Sequence, residues 1–194
     1  MQLVKNRTTE IFQSISRIVN NDWASICELF FKDKPRLNLI DDTDFIHFID
    51  FLEKKFLEFP YIRNIAVTDW IISTISYNDY KFITTKHEYT IDEVIQSNKL
   101  LDIHFVKKND SYHLFTKNKS SNEIEIYSLP EISYLWIDEF YECSNIQTAK
   151  ENILSPKVWP LEEVAQLNET IDDLIAMNLL SLERVYQYDG RSIK

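Results

Sequence analysis

The sequence predicts an α+β fold that is predominantly helical, and three observations carry this. Apolar residues recur at spacings of three and four along much of the chain, as in Ile11, Ile15, Ile18, Val19, Trp23, Ile26 and Phe30. That period marks helix faces turned towards a core. Alternation with a period of two is confined to short runs, such as Ile103–Val106 and Glu123–Tyr127. Finally, one helix-to-strand stretch is written twice, as TIDEVIQSNKLLDIHFVKKND at 90–110 and TIDDLIAMNLLSLERVYQYD at 170–189.

Taken in order, residues 7–31 predict two helices separated at Asn20-Asn21-Asp22. Pro35 and Leu37–Ile40 form a connector. Asp41, Asp42 and Thr43 then cap an aromatic helix through Phe45, Phe48, Ile49, Leu52 and Phe56, closed by Pro60. A further helix over 61–77 centres on Ile65, Trp70, Ile71 and Ile75. In the first repeat copy, Thr90 and Glu93 stand at the spacing of an N-cap and a third-position acid, and Ile91, Val94 and Ile95 share a face. Thr170 and Asp173, with Ile171, Leu174 and Ile175, do the same in the second copy.

Each helix should stop at an Asn, Asn98 or Asn178, because left-handed termination favours Gly and then Asn, and the chain holds only Gly190. In the first copy, strands at 103–106 and 112–114 would then flank a turn at Asn109-Asp110. Lys117–Asn122 reads as a loop, 123–127 as a strand, Pro130 as the start of a helix through Tyr134, Leu135, Ile137, Phe140 and Tyr141, and Pro156 and Pro160 as a connector.

Helix, link, strand, turn, strand is the closing half of a winged-helix unit. The expected organisation is therefore two winged-helix-like units: an N-terminal helical region, 1–117, ending in such a hairpin, and an acidic C-terminal unit, 123–194. The alternative is one fused globular body containing both.

Composition narrows the function. Hydrophobic residues make up 44% and aromatics 13%, enough for a packed interior. No long apolar run and no signal-like N-terminus is present in MQLVKNRTTE, so a soluble cytoplasmic protein without membrane association is expected. Cys27 and Cys143 lie far apart and read as idle thiols. The net charge of −10 is concentrated: between Glu123 and Glu183 thirteen acids face only Lys150 and Lys157, a local net of −11. Such a field repels nucleic-acid phosphates and attracts a basic protein.

Motifs for chemistry are missing. A chain with one Gly has no P-loop and no dinucleotide fingerprint, and neither paired-Cys zinc spacing nor HExxH occurs. His104 and His113 would be diagonal neighbours on the expected hairpin, but no acid or Cys lies in register, so neither metal nor cofactor is expected. His47 lies in the aromatic helix and His87 in a polar stretch, each without a local catalytic partner. An enzyme is not expected; a deep pocket with converging polar groups would argue otherwise.

The profile of a small, acidic, aromatic-rich chain without catalytic motifs fits a non-catalytic protein-binding module. Immunity and antitoxin-type inhibitors of basic, nucleic-acid-processing partners share that profile. The candidate partner-binding acids are Asp138, Glu139, Glu142, Glu162, Glu163, Glu169, Asp172 and Asp173. A buried stripe of Val164, Leu167, Ile171, Leu174 and Ile175 would leave Glu162, Glu169 and Asp173 outward. The alternative is a tandem winged-helix transcriptional regulator, using Lys107, Lys108, Lys117, Lys119, Arg184 and Arg191 as its basic face. Against it, Asp92, Glu93, Asp172 and Asp173 stand where a recognition helix would offer Arg, Lys, Asn or Gln.

Overall fold

The computed structural model describes residues 2–33, 42–77, 82–118, 120–143, 145–180 and 186–188. Pro35, the Leu37–Ile40 connector, Asp41 of the expected cap, Lys119, Arg184 and Arg191 lie outside these residues. The fold is α+β and predominantly helical, as the sequence predicts. It divides into two compact units that no single cut in the chain separates. The first comprises residues up to Ser73 together with His87–Asp110; the second comprises Thr74–Lys86 and Ser111–Asp189. The 117–122 loop, read from sequence as a boundary, lies inside the second unit.

In the first unit, α1 (Gln2–Ile11), α2 (Gln13–Val19) and α3 (Trp23–Asp33) account for the long N-terminal stripe. It breaks at Asn20–Asp22 as expected, in a short 3-10 turn that begins with Asn20 at φ 43°. A second break, at Phe12, was not legible. Phe12 offers no capping side chain, so the first amides of α2 are satisfied from elsewhere. Asp69, on α5 (Ile62–Tyr77), accepts from the Ser14 and Ile15 amides at 2.8 and 3.1 Å through one carboxylate oxygen. Phe12 itself is fully buried, 4.9 Å from Phe48 of α4 (Asp42–Lys55) between ring centroids. Phe48 also meets Trp23, Phe30 and Phe51, so one ring joins four aromatic neighbours. Arg63 bridges from α5 to Asp50 and Glu53 of α4 at 2.8 and 2.7 Å.

The first repeat copy lies within this unit up to Asp110, and two expectations about it fail. Thr90 does not cap α6 (Asp92–Ser97), whose N-cap position is Ile91 with no side-chain bond. Thr90 instead directs both its amide and its hydroxyl to the Lys107 carbonyl, at 3.0 and 3.2 Å, continuing the path of β1 (Phe82–Tyr89). Nor is there a hairpin at Asn109-Asp110. Ile103–Phe105 is a 3-10 turn, started by Asp102 accepting from the His104 amide at 2.9 Å. Asn109 and Asp110 lie inside β2 (Lys108–Lys117), an uninterrupted strand. Asn98 does end α6 in the left-handed region, at φ 50°. Beyond it the Tyr61 hydroxyl clamps Leu101, donating to its carbonyl at 2.6 Å and accepting from its amide at 2.9 Å.

The second unit holds a sheet of order β3-β2-β1-β4, where β3 is Ile124–Leu129 and β4 is Tyr186–Tyr188. β2 and β3 are antiparallel with Leu114 opposite Tyr127, whereas β1 and β4 are parallel with Ile83 opposite Tyr186. The hairpin sits between β2 and β3. There the Asn118 side chain accepts from the Ser120 and Ser121 amides, and Asn122 takes φ 63°. β1 was not anticipated, because FITT is buried on both faces and lacks alternation. Beside the sheet lie α7 (Glu131–Cys143), α8 (Ile146–Leu154) and α9 (Leu161–Ala176). Their core joins Phe82 and Leu114 to Trp136, Ile137, Leu167 and Ile171.

The second copy departs further from the first. Thr170 is in the interior of α9 and donates back to the Gln166 carbonyl at 2.9 Å, so it caps nothing. What the copies share is the stop: Asn178 has φ 55°, and the Leu179 amide returns to the Leu174 carbonyl at 2.9 Å.

Two outcomes follow. Asn98→Gly or Asn178→Gly should unfold at or above the wild-type urea midpoint, whereas Val at either position should cost about 1 kcal/mol or more. Asp69 provides the second. Burial raises its pKa from 3.8 to about 6, offset in part by its bonds from the Ser14 hydroxyl, the Ile15 and Ser14 amides and by nearby Arg17. The native state then holds a proton where the unfolded chain does not, so this group's contribution to stability falls as pH rises from about 4 to about 6, by a few kcal/mol at most. Asp69→Asn keeps an acceptor and should remove that pH dependence in urea titrations at pH 4.5 and 7.

Candidate protein-docking surface

The eight acids singled out from sequence all lie in the second unit, on α7 and α9. α7 is fixed by a buried stripe of Ile132, Trp136, Ile137 and Phe140. It packs against both α8 and α9. One polar pin joins it to α9: the Ser133 hydroxyl donates to Thr170 Oγ1 at 2.9 Å. The proton of Thr170 goes on to Gln166, so both hydroxyls are satisfied. A second pin joins α8 to α7, where Asn152 Nδ2 donates to Glu139 Oε1 at 2.6 Å. Glu139 is half-buried, and Asp138 and Glu142, four residues apart, are exposed.

On α9 the buried face is Leu167, Ile171 and Leu174, with Val164 half-buried beside it. Ile175 was expected in that stripe and is instead 51% exposed. The reason is angular: at 3.6 residues per turn it falls roughly 40° beyond Ile171 on the solvent side. Glu162, Glu169 and Asp173 share the outward face at spacings of seven and four, and all are exposed. Asp172, also exposed, lies next to them, whereas Glu163 lies on the half-buried flank. The structure thus gathers four of the eight acids into one ridge along α9.

Sequence reasoning missed what borders this ridge. Leu161 and Ile175 lie two pairs of turns apart with Asn168 between, forming an exposed shoulder alongside the acids. Leu161 is 89% exposed, and Val158 just before it is 97% exposed. Between them Trp159 is buried, its Nε1 donating to the Ile153 carbonyl at 3.0 Å and its ring covered by Lys157 Nζ at 3.7 Å. The signal was present in the string SPKVWPL, where prolines bracket apolar residues, but spacing alone does not say which of them turn outward. This segment and Val164 enclose an open depression of about 370 Å³ whose only polar side chains are Ser155 and Lys157.

The histidines are placed differently from their sequence reading. His87, in a polar stretch of the sequence, is buried in β1. Its Nε2 lies 3.2 Å from the Thr68 hydroxyl, which also lies 2.9 Å from the Asn64 carbonyl. His113 Nε2 lies 3.0 Å from the Ser111 hydroxyl, and His104 is exposed on the 3-10 turn. Because the hairpin at Asn109-Asp110 does not exist, it does not make these two diagonal neighbours. Among the described residues no group of three or more His, Cys, Asp or Glu could hold a metal ion, and no helix is long and apolar enough to cross a membrane.

Comparison with protein-family models, curated proteins and solved structures finds no match.

The geometry separates ridge from core. Glu169→Lys with Asp173→Lys should shift unfolding stability by no more than about 0.5 kcal/mol, whereas Leu167→Ala should cost about 2–5 kcal/mol. Urea unfolding of the two variants measures both.

Proposed function

We propose that this chain is a non-catalytic acidic binding protein whose α9 face docks a basic protein partner, in the manner of an immunity or antitoxin-type inhibitor of a nucleic-acid-processing protein. The observation that carries this reading is the ridge of Glu162, Glu169, Asp172 and Asp173, exposed on a helix whose opposite face is buried. A structural acid would be drawn into a bond, as Glu139 is by Asn152. These four follow the sign of a segment whose net charge is −11, so their fields add rather than cancel.

Charge of this kind acts first on encounter. Opposing cations are steered towards the ridge, which raises the association rate and fixes orientation more than it deepens affinity. The same field works against a phosphate backbone, which favours this reading over a regulator using Lys107 and Lys108.

The test is to capture a basic protein from the native host and follow its binding kinetics at two salt concentrations. Glu169→Lys with Asp173→Lys should slow association by roughly tenfold at low salt and flatten the salt dependence. An unchanged association rate would reduce the ridge to a solvated surface. A gel-shift with duplex DNA should show no retention at physiological salt, and tight, salt-sensitive retention would favour the regulator.

A further inference from the structure

We infer that the segment joining α8 to α9 is an apolar anchor site, which takes a hydrophobic side chain of a basic partner segment beside the acidic ridge. The inference rests on the proposed binding of a basic protein and specifies where and by what chemistry that protein is held.

Two features of the segment point to recognition. First, Val158 and Leu161 are the most exposed large apolar side chains among the described residues, at 97% and 89%. Single exposed apolar residues are ordinary, but here Val158 lines a depression with Leu154, Pro156, Trp159 and Val164, and Leu161 follows three residues on, at the start of α9. Second, they are held out rather than left loose. Pro156 and Pro160 restrict φ on either side, the Trp159 indole is bonded to Ile153, and the Pro160 carbonyl accepts from Val164 as α9 begins. An apolar surface fixed in advance loses little conformational entropy when covered. The depression, about 370 Å³, has room for a side chain of Leu or Phe size.

Charge selects the occupant. Glu162 and Glu163 follow Leu161 directly in the first turn of α9, and Glu169, Asp172 and Asp173 continue along the helix. Lys157 is the one cation in the depression's wall, and its ammonium rests on the Trp159 ring. A second copy of this chain would bring the same acids against these and be repelled. A segment with Lys or Arg around an apolar anchor satisfies both the depression and the acids.

The probe is a pair of synthetic peptides of equal positive charge, one with Lys and Leu at helical spacing and one with every Leu replaced by Ser. Titration calorimetry at low salt should show the Leu peptide binding about tenfold or more tightly than the Ser peptide, the increment expected for burying an apolar anchor. Val158→Ser with Leu161→Ser, both exposed changes that circular dichroism should find folded, should abolish that preference and leave Ser-peptide binding unchanged. Glu162→Gln with Glu163→Gln should weaken both peptides alike.

Equal binding of the two peptides to the wild-type chain would overturn the anchor site while leaving the acidic docking face standing. A Leu preference that survives Val158→Ser with Leu161→Ser would overturn this location. Failure of both peptides to bind would overturn the docking reading and the anchor with it. Sedimentation showing self-association that the same double substitution abolishes would replace the basic partner with a second copy.

Discussion

With one glycine in its whole length, this chain must make its left-handed turns with a side chain attached. Among the described residues every non-glycine position with positive φ is an asparagine: Asn20, Asn98, Asn122 and Asn178. Asn tolerates that region because its short amide can bond to nearby backbone, where a β-branched residue would clash. These four positions end α2 and α6, turn β2 into β3 and close the C-terminal end of α9. The same scarcity bears on function. Close backbone approach to a phosphate or an oxyanion leans on glycine, so on the proposed reading recognition falls to side chains displayed on rigid elements.

That constraint also explains which parts of the fold were legible. Helix stops could be read at Asn98 and Asn178 because the chemistry of stopping is local. Helix starts could not. Thr90 and Thr170 stand in the same sequence context, yet one bonds the Lys107 carbonyl beside β1 and the other lies in the interior of α9. A threonine before an acid three residues on fits a cap, a strand end and a helix interior alike. The deciding information lies outside the motif, at Lys107 in one case and in the nine residues from Leu161 that precede Thr170 in the other. The break at Phe12 was hidden for a similar reason, since its capping carboxylate comes from Asp69, more than fifty residues away. β1 was missed because period-two reasoning needs one wet face, and its first four residues are buried on both.

The candidate site was legible in its sign and in part of its geometry. The helical period placed Glu162, Glu169 and Asp173 together correctly, because a rigid helix with one apolar face leaves few choices for the other. It misjudged Ile175, which sits at the margin of the buried stripe, where small rotations decide exposure. The half-burial of Glu139 could not be read from sequence, because Asn152, which donates to it, belongs to α8, a helix that the sequence reading does not identify. The exposure of Val158 and Leu161 was not legible for the opposite reason: apolar residues are assigned to cores by default, and only the fixed path through Trp159 shows that these two remain outside.

Acids and apolar side chains also do different physical work at one surface. A field from several carboxylates reaches about 8–10 Å at physiological ionic strength, so it guides approach but is screened once ions compete. Apolar contact acts only on touching and is nearly indifferent to salt. A ridge alone would bind any cation weakly, and an exposed Val158 and Leu161 alone would invite any apolar surface. Placed side by side they require a partner to present both features in the right order, which is how specificity arises as a difference of affinities. On the proposed reading, α9 governs how fast a basic partner arrives, and the SPKVWPL segment governs how long it stays.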